Sequence, residues 1–189
     1  MVAGAARLLA QQGLQATSFS EVLEFTASPR GSVYHHFPEG KDQLVKAALD
    51  LVAAQMSQAF SPREGASPEE IADLFLRIWR SVLVQSDCKA GCAVVAVTIA
   101  AGSRELLDHA AAIFRAWRVR LAGLFVVGGV AQADAARFAA VLIAASEGAV
   151  VLSRGERDLE PFDLVAAKLL DDARSLSARR PAARRGERS

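Results

Sequence analysis

Residues 17–41 read TSFSEVLEFTASPRGSVYHHFPEGK, and the fold of the chain turns on this stretch. Ser18-Phe19-Ser20-Glu21 has the form of a capping box, in which a serine hydroxyl and a glutamate carboxylate satisfy free backbone N–H groups reciprocally. A helix therefore starts after Ser18 and runs to about Phe25, and Thr26-Ala27 make a turn. Ser28 as N-cap and Pro29 at the first helical position, where a missing N–H costs nothing, open a second short helix. Pro38 and Gly40 stop it. Two short helices joined by a tight turn form a helix-turn-helix, whose second member can enter the major groove of DNA.

Working outward, Val2, Ala5, Ala6, Leu8 and Leu9 line one side of a first helix over 2–12, which Gly13 ends. Leu14, Phe19, Val22, Leu23, Val33 and Phe37 complete a small core that leaves Arg30, Ser32, Tyr34 and His35 on the polar side. A long helix over 41–60 leads away, with Leu44, Ala48, Leu51, Val52 and Gln55 at helical spacing. Ser67-Pro68-Glu69-Glu70 then combines an N-cap, a proline at the first position and a capping box. Its helix carries Ile71, Leu74, Phe75, Ile78, Trp79, Val82 and Leu83. Residues 91–101, GCAVVAVTIAA, are apolar all round and predict a buried helix. Ser103 caps the next one, which carries Leu106, Ala110, Ile113, Phe114, Trp117, Leu121 and Phe125. The last two helices have alanine-rich seams: Phe138, Leu142, Ala145, Gly148, Ala149 and Leu152, then Phe162, Val165, Leu169 and Ala173.

The run Pro29-Arg30-Gly31-Ser32-Val33-Tyr34-His35-His36-Phe37-Pro38, followed by Gly40-Lys41, resembles the recognition helix of TetR-type transcriptional regulators. Within them it resembles the branch that reads Pro-Arg-Gly-Ser before Tyr-His-His-Phe-Pro, and Gly91-Cys92 is a landmark of the same branch. Ala27 stands where the family usually has glycine, at a cost of about 1 kcal/mol. The family's basic N-terminal arm is not expected ahead of Met1. The resemblance implies an all-α fold with a helix-turn-helix module over 1–41 and a helical effector-binding and dimerisation domain over 42–176; residues 177–189, with five arginines, Pro181 and no apolar face, read by composition as a basic, disordered tail. It implies a ligand-responsive repressor that binds a pseudo-palindromic double-stranded DNA operator as a homodimer. Its DNA-binding residues would be Ser18, Ser28, Pro29, Arg30, Gly31, Ser32, Tyr34, His35 and Lys41. Arg30 would bridge the O6 and N7 atoms of guanine or hold a phosphate. Tyr34, His35 and Lys41 would fix register on phosphate, and His36 would face the module's interior. The two closing seams would form the dimer interface.

Phe75, Trp79, Cys92, Phe114 and Trp117 are large or soft groups among small ones, the pattern of an aromatic ligand pocket between helices. No acidic or basic group is committed to the interior by the pattern, so the effector should be apolar and held by few polar contacts. Cys88 and Cys92 are four apart, which on one helix would place both sulfurs on one face and open a thiol redox reading. Lys89-Ala90-Gly91 reads instead as a loop, without the partner cluster that metal or thiol chemistry requires. His109 has no nucleophile beside it in sequence. No catalytic residue, metal or cofactor is expected.

Charge argues less clearly. The chain carries 22 basic and 21 acidic residues, and five of the arginines lie in the tail beside one glutamate, so the rest is slightly acidic. That is weak support for a nucleic-acid binder and keeps open an adaptor that has lost DNA binding. No apolar run reads as a membrane span and the start lacks a signal-peptide shape, which with two cysteines points to the cytoplasm.

Overall fold

Capping chemistry fixes most helix ends. The computed structural model describes residues 1–178, apart from the side chains of residues 30, 32, 177 and 178. Among the described residues the elements are α1 (Val2–Gln12), α2 (Phe19–Phe25), α3 (Arg30–His36), α4 (Lys41–Ala59), α5 (Pro68–Ser86), α6 (Ala93–Ala100), α7 (Arg104–Val127), α8 (Gln132–Glu156) and α9 (Glu160–Ala178). Both capping boxes form. Ser18 accepts from the Glu21 N–H while Glu21 accepts from the Ser18 N–H, and Ser67 and Glu70 do the same. Ser103 accepts from the Leu106 N–H at 3.2 Å, and Gly13, at φ 80°, ends α1. The expected cap of α3 is corrected. Pro29 is extended, with ψ 139°, and is itself the N-cap, while the Ser28 hydroxyl bonds the Thr26 hydroxyl at 2.9 Å. The last helix runs through Ala178, and the remainder of the expected basic tail lies outside the described residues.

Helices α1 to α3 form the N-terminal module, and α4 leads from it into the body. There α8 lies between α7 and α9, α5 packs on α9, and α6 touches both α7 and α1. Leu9, Val22, Val33, Leu44, Phe75, Phe125 and Phe162 belong to one continuous buried core, so the module shares its interior with the body. Three polar links hold α4 to α7 or to its own end: Lys46 to Glu105 at 2.5 Å, Asp50 to His109 at 2.8 Å, and Arg120 to the Phe60 carbonyl at 2.7 Å.

Three expectations about faces change. Helix α6 is buried only at Ala93, Val94 and Val97; it is short, and Ile99 beyond its packed turn is 79% exposed. Helix α8 is long and apolar enough, by length and composition, to cross a membrane, contrary to the sequence reading. Its apolar side chains are instead divided between α7 and α9 on one side and an outer face on the other. The proposed seams divide in the same way. Phe138, Leu142, Ala149, Phe162, Leu169 and Ala173 are buried within a single chain. The outward apolar groups are Val141, Val151 and Leu152 on α8 and Leu164 on α9, each at least half exposed.

Gly4 lets α1 approach the end of α2, and Ala27 shapes the turn from α2 into α3. A Cβ at Gly4 would lie 2.3 Å from Cγ2 of Thr26. Thr26 cannot turn aside cheaply, because its hydroxyl donates to the Val22 carbonyl at 2.7 Å and also meets Ser28. Ala27 has φ 49°, a left-handed conformation that glycine adopts more easily. Gly4→Ala should therefore lower stability by about 1–3 kcal/mol. Ala27→Gly should raise it by about 1 kcal/mol, a gain of roughly 2–4 °C in Tm for a chain of this size. Thermal unfolding followed by circular dichroism checks both signs; a Tm that falls for Ala27→Gly would contradict the turn.

Candidate functional site

Two regions of the chain are built for contact. The first is the outer face of α3. Tyr34 is 68% exposed and is braced edge-on by Phe19, with ring centroids 5.7 Å apart. His35 is exposed beside it. Gly31 has open space where a Cβ would stand, so nothing among the described residues demands a glycine there. Val33 and Phe37, fully or nearly buried, hold the helix from behind. The side chains of Arg30 and Ser32 lie outside the described set, although the α3 backbone that carries them is described.

Other expected DNA contacts have internal partners. Ser18 is engaged in its cap, and Ser28 bonds Thr26. The Lys41 ammonium donates to the Leu14 carbonyl at 2.7 Å, tying the start of α4 to the loop after α1. His36, expected inside, is exposed, with its ring against those of His35 and Phe37.

The second region is a cavity of about 320 Å³ between α1, α4, α5 and the start of α6. Its wall is mainly apolar: Ala6 and Ala10 of α1, Leu51, Val52 and Met56 of α4, Ile78, Trp79 and Val82 of α5, and Gly91, Cys92 and Ala93. Gln55 and Arg7 are its polar members. The alanines of α1 make the space, because a larger side chain at those positions would fill it. Of the five residues expected to form a pocket, Trp79 and Cys92 do line it. The other three are corrected. Phe75 and Trp117 border only a void of about 10 Å³ with Phe60, room for at most one water. Phe114 packs edge-on against Trp117 at 5.7 Å. These three fill the core between α5 and α7.

The cavity wall is bonded directly to the N-terminal module. The Gly91 N–H donates to the Ala10 carbonyl at 2.8 Å. Arg154 of α8 donates to the Gln11 carbonyl at 2.8 Å and the Lys89 carbonyl at 3.2 Å. A helix leaves its last carbonyls without internal partners, and the body supplies partners for two of those in α1. The arginine also matches the negative end of the helix dipole. A Cβ at Gly91 would come within 3.0–3.1 Å of the Arg154 side chain, which would have to shift by a few tenths of an ångström.

Sequence reasoning missed Glu147, and it overturns the expectation of an uncharged interior. This α8 glutamate is only 8% exposed. Burial pushes its carboxyl up from 4.5 to about 7, and the hydrogen bond from the Cys92 thiol offsets only part of that. Among the described residues its Oε1 is buried without a hydrogen-bond partner, as is the indole N–H of Trp79. Ser146-Glu147-Gly148, a polar break in an apolar helix, was the available signal. Cys88 and Cys92 are both free and buried. Cys88 sits in a left-handed turn after α5, at φ 55°, and Cys92 precedes α6, so the two do not share a helix. Burial holds the Cys92 thiol well above its ordinary range, which makes it a poor nucleophile. No metal-binding group of three ligands occurs among the described residues.

Comparison with known proteins agrees over most of the chain. Residues 1–48 match the profile of bacterial regulatory proteins of the tetR family. Residues 68–168 match that of the LmrA/YxaF-like transcriptional regulator C-terminal domain. An HTH-type transcriptional regulator of Mycobacterium tuberculosis is 35% identical over 176 residues, covering 89% of this chain and 90% of its own. A TetR transcriptional regulator from Legionella pneumophila superposes with a TM-score of 0.82 at 19% identity, over 90% of this chain and 94% of that one. The regulatory protein TetR from Rhodobacter sphaeroides gives 0.80 at 20%, over 90% and 95%. At such identities the two structures speak for the fold.

The buried carboxyl has a signature in stability. An unfolded glutamate ionises near 4.5 and the folded Glu147 near 7, so between those values the folded chain holds the extra proton. Stability contributed at this site falls as pH rises through that window, and the penalty is complete above it. Glu147→Gln should flatten this slope and stabilise the protein at pH 8 by up to about 3 kcal/mol. Urea unfolding of both proteins at pH 5 and pH 8 checks it; parallel pH profiles would mean that the carboxyl ionises as freely in the fold as outside it.

Proposed function

The chain belongs to the TetR family of bacterial regulatory proteins, and on that premise we propose that it is a homodimeric repressor released from its operator by a small apolar effector. That it is a transcriptional regulator follows from the family. The observation that carries the rest is the bonding of the cavity wall to α1. A ligand that displaces Gly91 and Cys92 loosens the partners of the Ala10 and Gln11 carbonyls, and one that presses on Leu51, Val52 or Met56 moves α4. Both helices carry the recognition module. The effector then needs only to prefer the state in which the two α3 helices are out of register with successive major grooves.

On the DNA side, the open space before Gly31 and the exposure of Tyr34 and His35 favour close approach of the backbone of α3 to a groove. Arg30 reads a base edge, while Tyr34 and His35 meet phosphate. Lys41 acts chiefly by holding α4 to the loop after α1. For assembly, Val141, Val151, Leu152 and Leu164 supply an apolar outer face, and Gly148 leaves room for a second helix to approach. The competing reading as a thiol enzyme loses ground to the burial of both cysteines and the raised Cys92 thiol.

Selection of genomic fragments by the purified protein should yield a pseudo-palindrome with half-sites about 34–36 Å apart. On that DNA, Arg30→Ala should cost about 1–3 kcal/mol and relax preference at one position per half-site. Unchanged affinity and preference would remove Arg30 from base reading, and no enriched fragment would contradict the DNA-binding role. Light scattering tests assembly. Leu152→Glu should give folded monomers, because this side chain is half exposed in the single chain. Leu169→Glu should instead unfold the protein, since it buries an unpaired charge in the monomer's own core. A dimeric Leu152→Glu variant would move the interface elsewhere.

A further inference from the structure

Glu147 is a buried carboxyl that the protein leaves half-partnered; it stands behind Cys92, which is itself a residue of the cavity wall. The Cys92 thiol bonds one carboxyl oxygen, and Cys92 itself borders the cavity. The other oxygen, Oε1, is buried with no partner among the described residues. Burial and the thiol are the influences that act on this carboxyl, and no described cation offsets its charge. Arg154, seven residues on, is held by the Gln11 and Lys89 carbonyls. Arg7, also on the cavity wall, is exposed, with its guanidinium 5.5 Å from the Phe25 ring centre. A buried carboxyl without a countercharge costs free energy, and a donor of positive charge in the adjoining space recovers it.

We infer that the effector is a flat apolar compound bearing a cationic nitrogen, and that Glu147 is the residue that selects for it. The inference rests on the effector reading of the cavity given above. The aromatic part of the ligand lies against Trp79, Met56 and Val52. Its ammonium group replaces the Cys92 thiol as donor to Glu147, and Cys92 turns aside. Because Cys92 follows Gly91, the same movement strains the Gly91–Ala10 hydrogen bond, which links recognition of the charge to the recognition module. A purely structural role is the contrasting possibility: an anion facing the amino end of α6 stabilises that helix through its dipole and confers no ligand preference.

The test uses the full chain and two probes of one shape. 1-Naphthylmethylamine is charged at neutral pH, and 1-naphthalenemethanol is not. Calorimetric titration should show the amine binding roughly ten- to a hundredfold more tightly than the alcohol, the range expected of a charge-assisted hydrogen bond. Glu147→Gln should erase that preference and leave alcohol binding unchanged, while Glu147→Asp, which keeps the charge, should retain part of it. On operator DNA the amine should release the wild-type protein at lower concentration than the alcohol. An alcohol that binds as well as the amine, or a preference that survives in Glu147→Gln, overturns the role of Glu147 and leaves the cavity reading standing. Failure of both probes to bind the wild-type protein overturns the cavity reading itself, and this inference with it. The wild-type comparison decides the matter even if the glutamine variant does not fold.

Discussion

Two carbonyls at the end of α1 set the terms for the rest of the molecule. An α-helix cannot satisfy its own last carbonyls, and here Ala10 and Gln11 receive donors from the body: the Gly91 N–H and the Arg154 guanidinium. The N-terminal module is therefore bonded to the body at the end of α1. Gly91 and Cys92 belong at once to this junction and to the cavity wall. Whatever enters the cavity meets the junction directly, without a long chain of intermediate contacts.

The second connection runs through α4. Lys46 and Asp50 bond Glu105 and His109 of α7, and Arg120 of α7 closes on the carbonyl at the far end of α4. The two ion pairs are largely solvent-facing, so each is a modest restraint that salt weakens. That suits a helix required to occupy two positions of similar free energy, since a ligand can shift such an equilibrium only by its difference in affinity for the two states. Packing does the opposite at the base of α3, where Val33 and Phe37 are held in the continuous core. In the proposed mechanism α3 moves together with its module, and the links from α4 to α7 are the weaker, polar restraints.

What could be read from the sequence was local. The capping boxes at Ser18 and Ser67, the Ser103 cap and the glycine stop at Gly13 are completed within a few residues, so their partners stand beside them in the chain. The same locality misled at Ser28, where the neighbouring Thr26 hydroxyl competes for the cap. Assigning faces required the tertiary arrangement. In α8 the seam itself was legible, but nothing in the pattern separates Leu142, buried against the body, from Leu152 of the same seam, half exposed. Trp79 and Trp117 looked equally suited to a pocket, but only Trp79 faces the alanine side of α1. Glu147 was visible as a polar break; that it would meet a thiol more than fifty residues away in the chain was not. The resemblance of the recognition segment did what periodicity could not, by pointing to the family before any contact was known.

The central claim is that the cavity wall and the end of α1 move together, and amide hydrogen exchange addresses it at one atom. In the free protein the Gly91 N–H is bonded to Ala10 and should exchange slowly. If the account is right, filling the cavity with a naphthyl ligand speeds exchange at Gly91 and in the last turn of α1, while operator binding slows it at both. Exchange at Gly91 that stays slow in a saturated ligand complex, with the ligand still releasing the protein from its operator, would contradict it and route the signal through α4 alone.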